Sequence, residues 1–199
     1  NLPEKDEREA VETITELIEY YKGIFTILSS CAARQLEEVT FRRNTIPVQE
    51  LFDAAGKYFR KVTKNRTEKV ELIIEPMDAK VIGDVNQLRF LFENLIDEAL
   101  AVREEGVIRL QARKDNEYIR FLFTDTRREK SVTELNQLFY PNLARMTSGE
   151  KGELRGTEYL ICKQIIRDHD EFAGRRGCRI NAEPAEGGGF TVYFTIPRR

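Results

Sequence analysis

The stretch GDVNQLRFLFENLIDEALAV, residues 83–102, decides the fold of this chain. Its apolar residues recur at helical spacing and predict one buried helix face: Leu88, Leu91, Phe92, Leu95 and Ala99. Asp84 predicts an N-cap, because its carboxylate can accept hydrogen bonds from free backbone N–H groups at a helix start. Asn94 and Glu98 are four residues apart and share a face. We therefore predict an amphipathic helix with this polar pair opposite its apolar face.

Helical and β-rich segments alternate on both sides of this helix. The pattern predicts a helix over Val48–Val62, strands at Val70–Glu75 and Ala79–Ile82, a hairpin of Val107–Ala112 and Tyr118–Thr124, a helix over Thr157–Asp168 and a strand over Phe190–Ile196. The last strand alternates apolar and polar residues, which is typical of a half-buried strand. This order predicts an α+β fold, a two-layer sandwich in which helices cover one face of a mixed sheet.

The N-terminal region, Glu7–Val39, is predicted to be one long helix. Apolar residues follow the three-and-four spacing of a coiled-coil seam: Ala10, Ile14, Leu17, Tyr21, Ile24, Leu28 and Cys31. Apolar neighbours widen this stripe, which favours a helical bundle over packing of the helix onto its own domain. We accordingly divide the chain into a helical region, residues 1–44, and a domain, residues 45–199.

Composition excludes several classes of protein. Lys and Arg number 32 against 34 Asp and Glu, for a net charge of −2, so nothing favours nucleic-acid binding. No apolar run reaches membrane-spanning length and no signal peptide is recognisable. We expect a cytoplasmic protein that is attached to a membrane only through regions outside this chain. Cys31, Cys162 and Cys178 lack metal-site spacing and are expected to be reduced thiols.

From Ile46 to Pro197, the order of elements and several local motifs resemble the histidine-kinase branch of the GHKL ATPases. Residues 83–102 resemble the N-box helix of that family, with Asn94 on its first asparagine and Glu98 in place of its second. The resemblance implies ATP and Mg²⁺ as cofactors, and nucleotide and magnesium contacts from these two residues. Hard oxygen ligands suit Mg²⁺, although a glutamate adds negative charge beside a triphosphate.

The segment RFLFTDTRREK, residues 120–130, resembles the strand that leads into the family's D-x-G-x-G box. Asp125 stands on the adenine-binding aspartate of that box, so the resemblance implies a nucleotide contact. Arg127 and Glu129 replace the two glycines. Glycine lets the backbone turn tightly and approach a ligand, so side chains at both positions are expected to reshape or fill the pocket.

Residues 154–170, LRGTEYLICKQIIRDHD, resemble the glycine-rich start of a later helix in the family. Gly156 matches one glycine and is the implied nucleotide contact, whereas Leu154 and Glu158 replace two others. A helix start offers free N–H groups to phosphate, but a glutamate there repels it. His169 falls on a histidine at the end of this helix that is not the family's phosphate acceptor.

Two further segments complete the match to the family. Phe139 falls on a phenylalanine that precedes the ATP lid, which would be residues 142–155. Gly187–Gly189 lies between two predicted strands, and a hairpin turn explains it without a ligand.

Three hypotheses about function follow from the resemblance. The first is the catalytic part of a bacterial sensor histidine kinase in a two-component system, with an impaired nucleotide site. It would transfer a phosphoryl group from ATP to a histidine outside this chain, dimerise through the N-terminal helix and act on a response regulator. The second is a pseudokinase scaffold that dimerises and relays a signal without ATP turnover. The third is a Ser/Thr kinase of the anti-sigma type, against which the long N-terminal helix argues.

Overall fold

The computed structural model describes residues 6–15, 17–18, 21–22, 25, 41–140 and 157–199. Contacts divide the chain into two compact units, residues 1–40 with 141–157 and residues 41–140 with 158–199. Three predicted features lie outside the described residues: the C-terminal end of the long N-terminal helix, Gly156 and the lid. The boundary between residues 44 and 45 stays a prediction.

In the first unit, helix α1 covers residues 6–15, and the described residues 17, 18, 21, 22 and 25 are also helical. Six large apolar side chains of this unit are 44% to 72% exposed: Val11, Ile14, Leu17, Ile18, Tyr21 and Phe25. Ile14, Leu17 and Tyr21 belong to the predicted seam, and Val11, Ile18 and Phe25 are apolar neighbours that widen it. Within the described ranges, no helix is both long enough and apolar enough to cross a membrane.

The second unit holds the remaining elements. The strands are β1 Asn44–Pro47, β2 Val70–Ile74, β3 Lys80–Gly83, β4 Gly106–Asp115, β5 Tyr118–Asp125, β6 Ile180–Pro184 and β7 Phe190–Pro197. The helices are α2 Val48–Thr63, α3 Val85–Leu100, α4 Val132–Gln137 and α5 Thr157–Phe172. Five strands form a mixed sheet in the order β2-β4-β5-β7-β6. Only the β2–β4 pair is parallel.

The predicted α+β sandwich is confirmed. The core is a cluster of four aromatic rings, Phe52 on α2, Phe92 on α3, Phe121 on β5 and Phe194 on β7, with ring centroids 4.9 to 6.3 Å apart. Every other residue of β5 is buried, and the residues between them are partly exposed. One face of the sheet therefore packs against helices, as the period-two pattern requires.

The structure contains two secondary-structure elements that the sequence pattern did not predict. Strand β1 pairs antiparallel with β3, as a small second sheet, and its four residues are too few to show a period. Helix α4 follows β5, in a segment for which the sequence pattern predicts no helix. It begins with a capping box, in which Ser131 and Glu134 each accept a hydrogen bond from the other's backbone N–H.

Candidate functional site

The start of helix α3 is fixed by Asp84. Its carboxylate accepts hydrogen bonds from the backbone N–H groups of Asn86 and Gln87, at 3.0 and 3.1 Å. It also accepts from the backbone N–H of Arg42 at 2.9 Å. The predicted N-cap is confirmed, and it positions the polar pair further along the helix.

His169 is fully buried, at 0% exposure, against this helix start. Its Nε2 accepts from the backbone N–H of Asp84 at 3.1 Å, and its Nδ1 lies 2.8 Å from the carbonyl oxygen of Ile165. A carbonyl oxygen can only accept, so Nδ1 carries the proton and the ring is neutral. Burial lowers the pKa of His169 to about 4. Both ring nitrogens are engaged, which does not suit a phosphate acceptor.

Proton NMR can follow the neutral state of the His169 ring directly, because His169 is the only histidine in the chain and its imidazole resonance needs no assignment. We expect its imidazole resonance to keep the neutral shift as the pH falls through 6.5, and to move only near pH 4. Its contribution to stability is therefore complete above pH 6.5 and lost as the pH falls toward 4. The urea-unfolded chain is the control and should titrate near 6.5. A midpoint near that value in the folded protein would contradict the assignment.

Asn94 and Glu98 occupy the middle and the last turn of α3. Asn94 is only 5% exposed, and its Nδ2 donates to the carbonyl oxygen of Phe90 at 2.7 Å. Glu98 is partly buried. The prediction that the pair lies opposite the apolar face is wrong. At about 3.6 residues per turn both side chains flank that face, and packing covers Asn94 together with it.

Glu98 faces a second carboxylate, that of Glu158 in the first turn of α5. Burial and this neighbour, which is also its hydrogen-bond partner, raise the pKa of Glu98 to about 7, against the pull of Arg128 and Lys130. The carboxyl group of Glu98 therefore keeps its proton at pH values above those at which a glutamate ordinarily ionises. A metal ion would have to displace that proton.

Asp125 ends strand β5 and is 1% exposed. One carboxylate oxygen accepts from Nε of Arg127 at 2.9 Å and from its backbone N–H at 3.0 Å. The other oxygen accepts from Nη2 of Arg127 at 2.8 Å. The Arg127 side chain is also only 1% exposed. The two residues thus form a buried bidentate ion pair, and Arg128 adds a second cation 3.7 Å away.

The rest of the Arg127 guanidinium binds main-chain oxygens. Nη2 also donates to the carbonyl of Ala99 at 2.6 Å, and Nη1 donates to that of Glu104 at 2.9 Å. Arg127 therefore ties the end of β5 to the last turn of α3 and to the loop that follows it. Cations near a helix C-terminus interact favourably with its free carbonyl groups.

As arranged, these residues do not fit an adenine base. The resemblance assigns to Asp125 an acceptor role toward the base's amino group, but three donors of Arg127 already occupy its carboxylate. The described ranges also contain no group of three or more His, Cys, Asp or Glu that could hold a metal. Mg²⁺ commonly takes only one or two protein ligands, so its assignment to Asn94 and Glu98 stays a prediction.

The segment before the predicted lid is well packed. Phe139 is 5% exposed, and its ring meets that of Tyr159 edge-on with centroids 5.7 Å apart. Next to it, the ammonium of Lys163 lies 3.8 Å from the ring centroid of Tyr140. These contacts join the end of the α4 segment to helix α5.

A family model described as histidine kinase-, DNA gyrase B- and HSP90-like ATPase matches residues 83–199, more than half of the chain. The chain belongs to this ATPase family. The match begins at the quoted helix and runs through the Asp125 strand to the last strand of the domain. No curated protein sequence matches this ATPase-family chain.

Solved structures agree with the family. The mycobacterial sensor histidine kinase MprB is similar with a TM-score of 0.60 and 18% identity, over 79% of this chain and 99% of MprB. Histidine kinase ThkA, in complex with response regulator protein TrrA, is similar with a TM-score of 0.61 and 18% identity, over 94% of this chain and 52% of ThkA. Full-length ShkA in complex with AMPPNP is similar with a TM-score of 0.64 and 14% identity, over 94% of this chain and 37% of ShkA. The ATPase-family chain thus has the fold of a histidine kinase.

Arg127 is the residue of this ATPase-family site whose contacts the sequence did not reveal. Its position in the sequence predicted that its side chain would fill the pocket. The main-chain acceptors Ala99 and Glu104 could not be predicted, because they are distant from Arg127 in sequence. An acid and a base two residues apart at a strand end are more often solvated than paired. The available signal was the replacement of a family glycine by a long cation directly after a buried aspartate.

Proposed function

We propose that this chain is the catalytic-domain portion of a histidine-kinase-like signalling protein that relays a signal without ATP turnover. The buried ion pair of Asp125 with Arg127 carries the proposal. A base that entered this site would have to displace a guanidinium with four hydrogen bonds to main-chain and side-chain oxygens. Breaking a buried ion pair costs about 3–5 kcal/mol, a large part of ordinary nucleotide affinity.

The charges at the other side of the predicted nucleotide site support the same conclusion. The resemblance places phosphates near the start of α5, where Glu158 lies. The carboxylate of Glu158 already raises the pKa of Glu98, and a triphosphate would add further negative charge. A catalytic phosphoryl transfer depends on neutralising such charge, and these two residues increase it.

The proposed partners are a second copy of this chain and a response regulator. The exposed apolar stripe of the N-terminal unit supports dimerisation, because six large apolar side chains between residues 11 and 25 are 44% to 72% exposed. Sedimentation equilibrium tests the dimer, and a monomer at all concentrations would exclude it. The regulator partner is proposed by analogy with ThkA, which was solved in complex with TrrA. We also propose a cytoplasmic location.

Calorimetric titration with ADP and ATP, with and without Mg²⁺, tests the loss of turnover. We expect no binding up to millimolar nucleotide, because Arg127 already donates to both carboxylate oxygens of Asp125. Magnesium-dependent binding in the micromolar range, abolished in Asp125→Asn, would contradict the proposal. It would favour the alternative of an active kinase that phosphorylates a histidine outside this chain, with ATP and Mg²⁺ as cofactors.

A further inference from the structure

Three oxygen acceptors converge on the guanidinium of Arg127. They are the carboxylate of Asp125, 2.8 and 2.9 Å from two nitrogens, and the main-chain carbonyls of Ala99 at 2.6 Å and Glu104 at 2.9 Å. These acceptors come from three segments, namely the end of β5, the last turn of α3 and the loop before β4. Together they form what we call the acceptor pocket.

The acceptor pocket matches a guanidinium better than it matches adenine. A guanidinium presents five N–H donors in one plane and no acceptor, and four of the five are used here. The edge of an adenine base presents acceptor nitrogens beside its amino group. Those nitrogens would face carbonyl and carboxylate oxygens in this pocket, which leaves lone pairs opposed and unsatisfied.

Gly106 makes room for this arrangement. It adopts a φ of +138°, a conformation that side chains rarely adopt, and a Cβ added there would lie 2.8 Å from Cγ of Arg127. The backbone at the start of β4 is thus shaped around the arginine side chain. The ion pair is therefore part of the packed structure and is not a surface arginine that has folded inward.

We infer that Arg127 is a built-in ligand that permanently occupies the acceptor pocket and holds its three segments together without nucleotide. The specificity of the pocket has changed from a purine base to a planar amidinium or guanidinium group. The inference deepens the proposed function and relies on it for placing the family's base-binding position at Asp125.

Chemical rescue of Arg127→Ala tests the inference. The variant opens a cavity lined by the three acceptors, and we expect millimolar methylguanidinium to raise its melting temperature by several degrees. Wild type should show no such rise, because its pocket is full. Tetramethylammonium, a cation without N–H donors, is the matched control and should stabilise neither protein. Absence of rescue, or stabilisation of the variant by ADP in place of methylguanidinium, would overturn the inference.

A second measurement covers the case in which Arg127→Ala does not fold. Arg127→Met, Asp125→Asn and the double variant are compared by melting temperature. We expect the double variant to melt higher than Asp125→Asn alone, because it leaves no buried unpaired guanidinium. Additive losses would overturn the inference. The titration of wild-type protein with nucleotide tests the proposed function separately. Nucleotide binding by wild type would contradict the proposed function, whereas the rescue of Arg127→Ala by methylguanidinium tests the pocket's preference for a guanidinium.

Discussion

Replacing Asp125 by alanine should lower the free energy of unfolding by about 3–5 kcal/mol, because the buried guanidinium of Arg127 loses its counter-ion. The two side chains are 2% and 1% exposed, so solvent cannot compensate the charge left behind. This loss is a large share of the stability of an ordinary domain, which is about 5–15 kcal/mol. Urea unfolding followed by circular dichroism measures the change.

The chain contains a matched control for this experiment. Asp115 pairs with Arg120 at 2.9 Å, close to the buried distance, but these side chains are 35% and 41% exposed. Exposed ion pairs contribute about 0–1 kcal/mol, so Asp115→Ala should have little effect. Equal losses in the two variants would show that the burial of the Asp125 pair has no energetic importance.

Gly189→Ala should have the second large effect, a loss of about 2–5 kcal/mol in the free energy of unfolding. The residue has a φ of +81°, and an added Cβ would lie 2.1 Å from the carbonyl oxygen of Asp125. Left-handed backbone costs an alanine about 1–2 kcal/mol, and overpacking typically adds about 1–3 kcal/mol. The obstacle is main chain, so it cannot be relieved by a change of rotamer, and the pairing of Asp125 with Phe190 must shift.

Gly187→Ala separates these two costs. Gly187 lies in the same turn with a φ of +87°, but nothing lies within 4 Å of its added Cβ. The free energy of unfolding of Gly187→Ala should therefore fall only by the cost of left-handed backbone, about 1–2 kcal/mol. Urea unfolding of both variants gives the difference. If Gly189→Ala were no worse than Gly187→Ala, the close approach of the turn to Asp125 would not be a constraint.

Much of the fold could be predicted because its signals are local. Asp84 stands directly before an apolar helix period, and the alternation of Phe190, Val192, Phe194 and Ile196 identifies a strand with one buried side. The glycine run between the last two strands predicted a hairpin turn, and β6 and β7 do pair antiparallel. Each of these features is determined by residues within a few positions of one another.

The features that could not be predicted depend on tertiary contacts. The sequence pattern places Asn94 opposite the apolar face of α3, yet packing buries it, and its amide donates to the carbonyl of Phe90. The pairing of Glu98 with Glu158 joins helices that are 60 positions apart in the chain. Strand β1 has only four residues. So short a segment shows no alternation of apolar and polar residues from which its pairing with β3 could be predicted.

The contact between Gly106 and Arg127 restricts which residues the two positions can hold together. An arginine at position 127 fits only where position 106 lacks a Cβ, since that atom would lie 2.8 Å from the arginine's Cγ. A chain with the arginine and a side chain at position 106 would have two side chains in collision. The positive φ of Gly106 disfavours a side chain there as well, so both the backbone and the neighbouring arginine favour glycine at this position. Among related sequences, the two positions should therefore vary together.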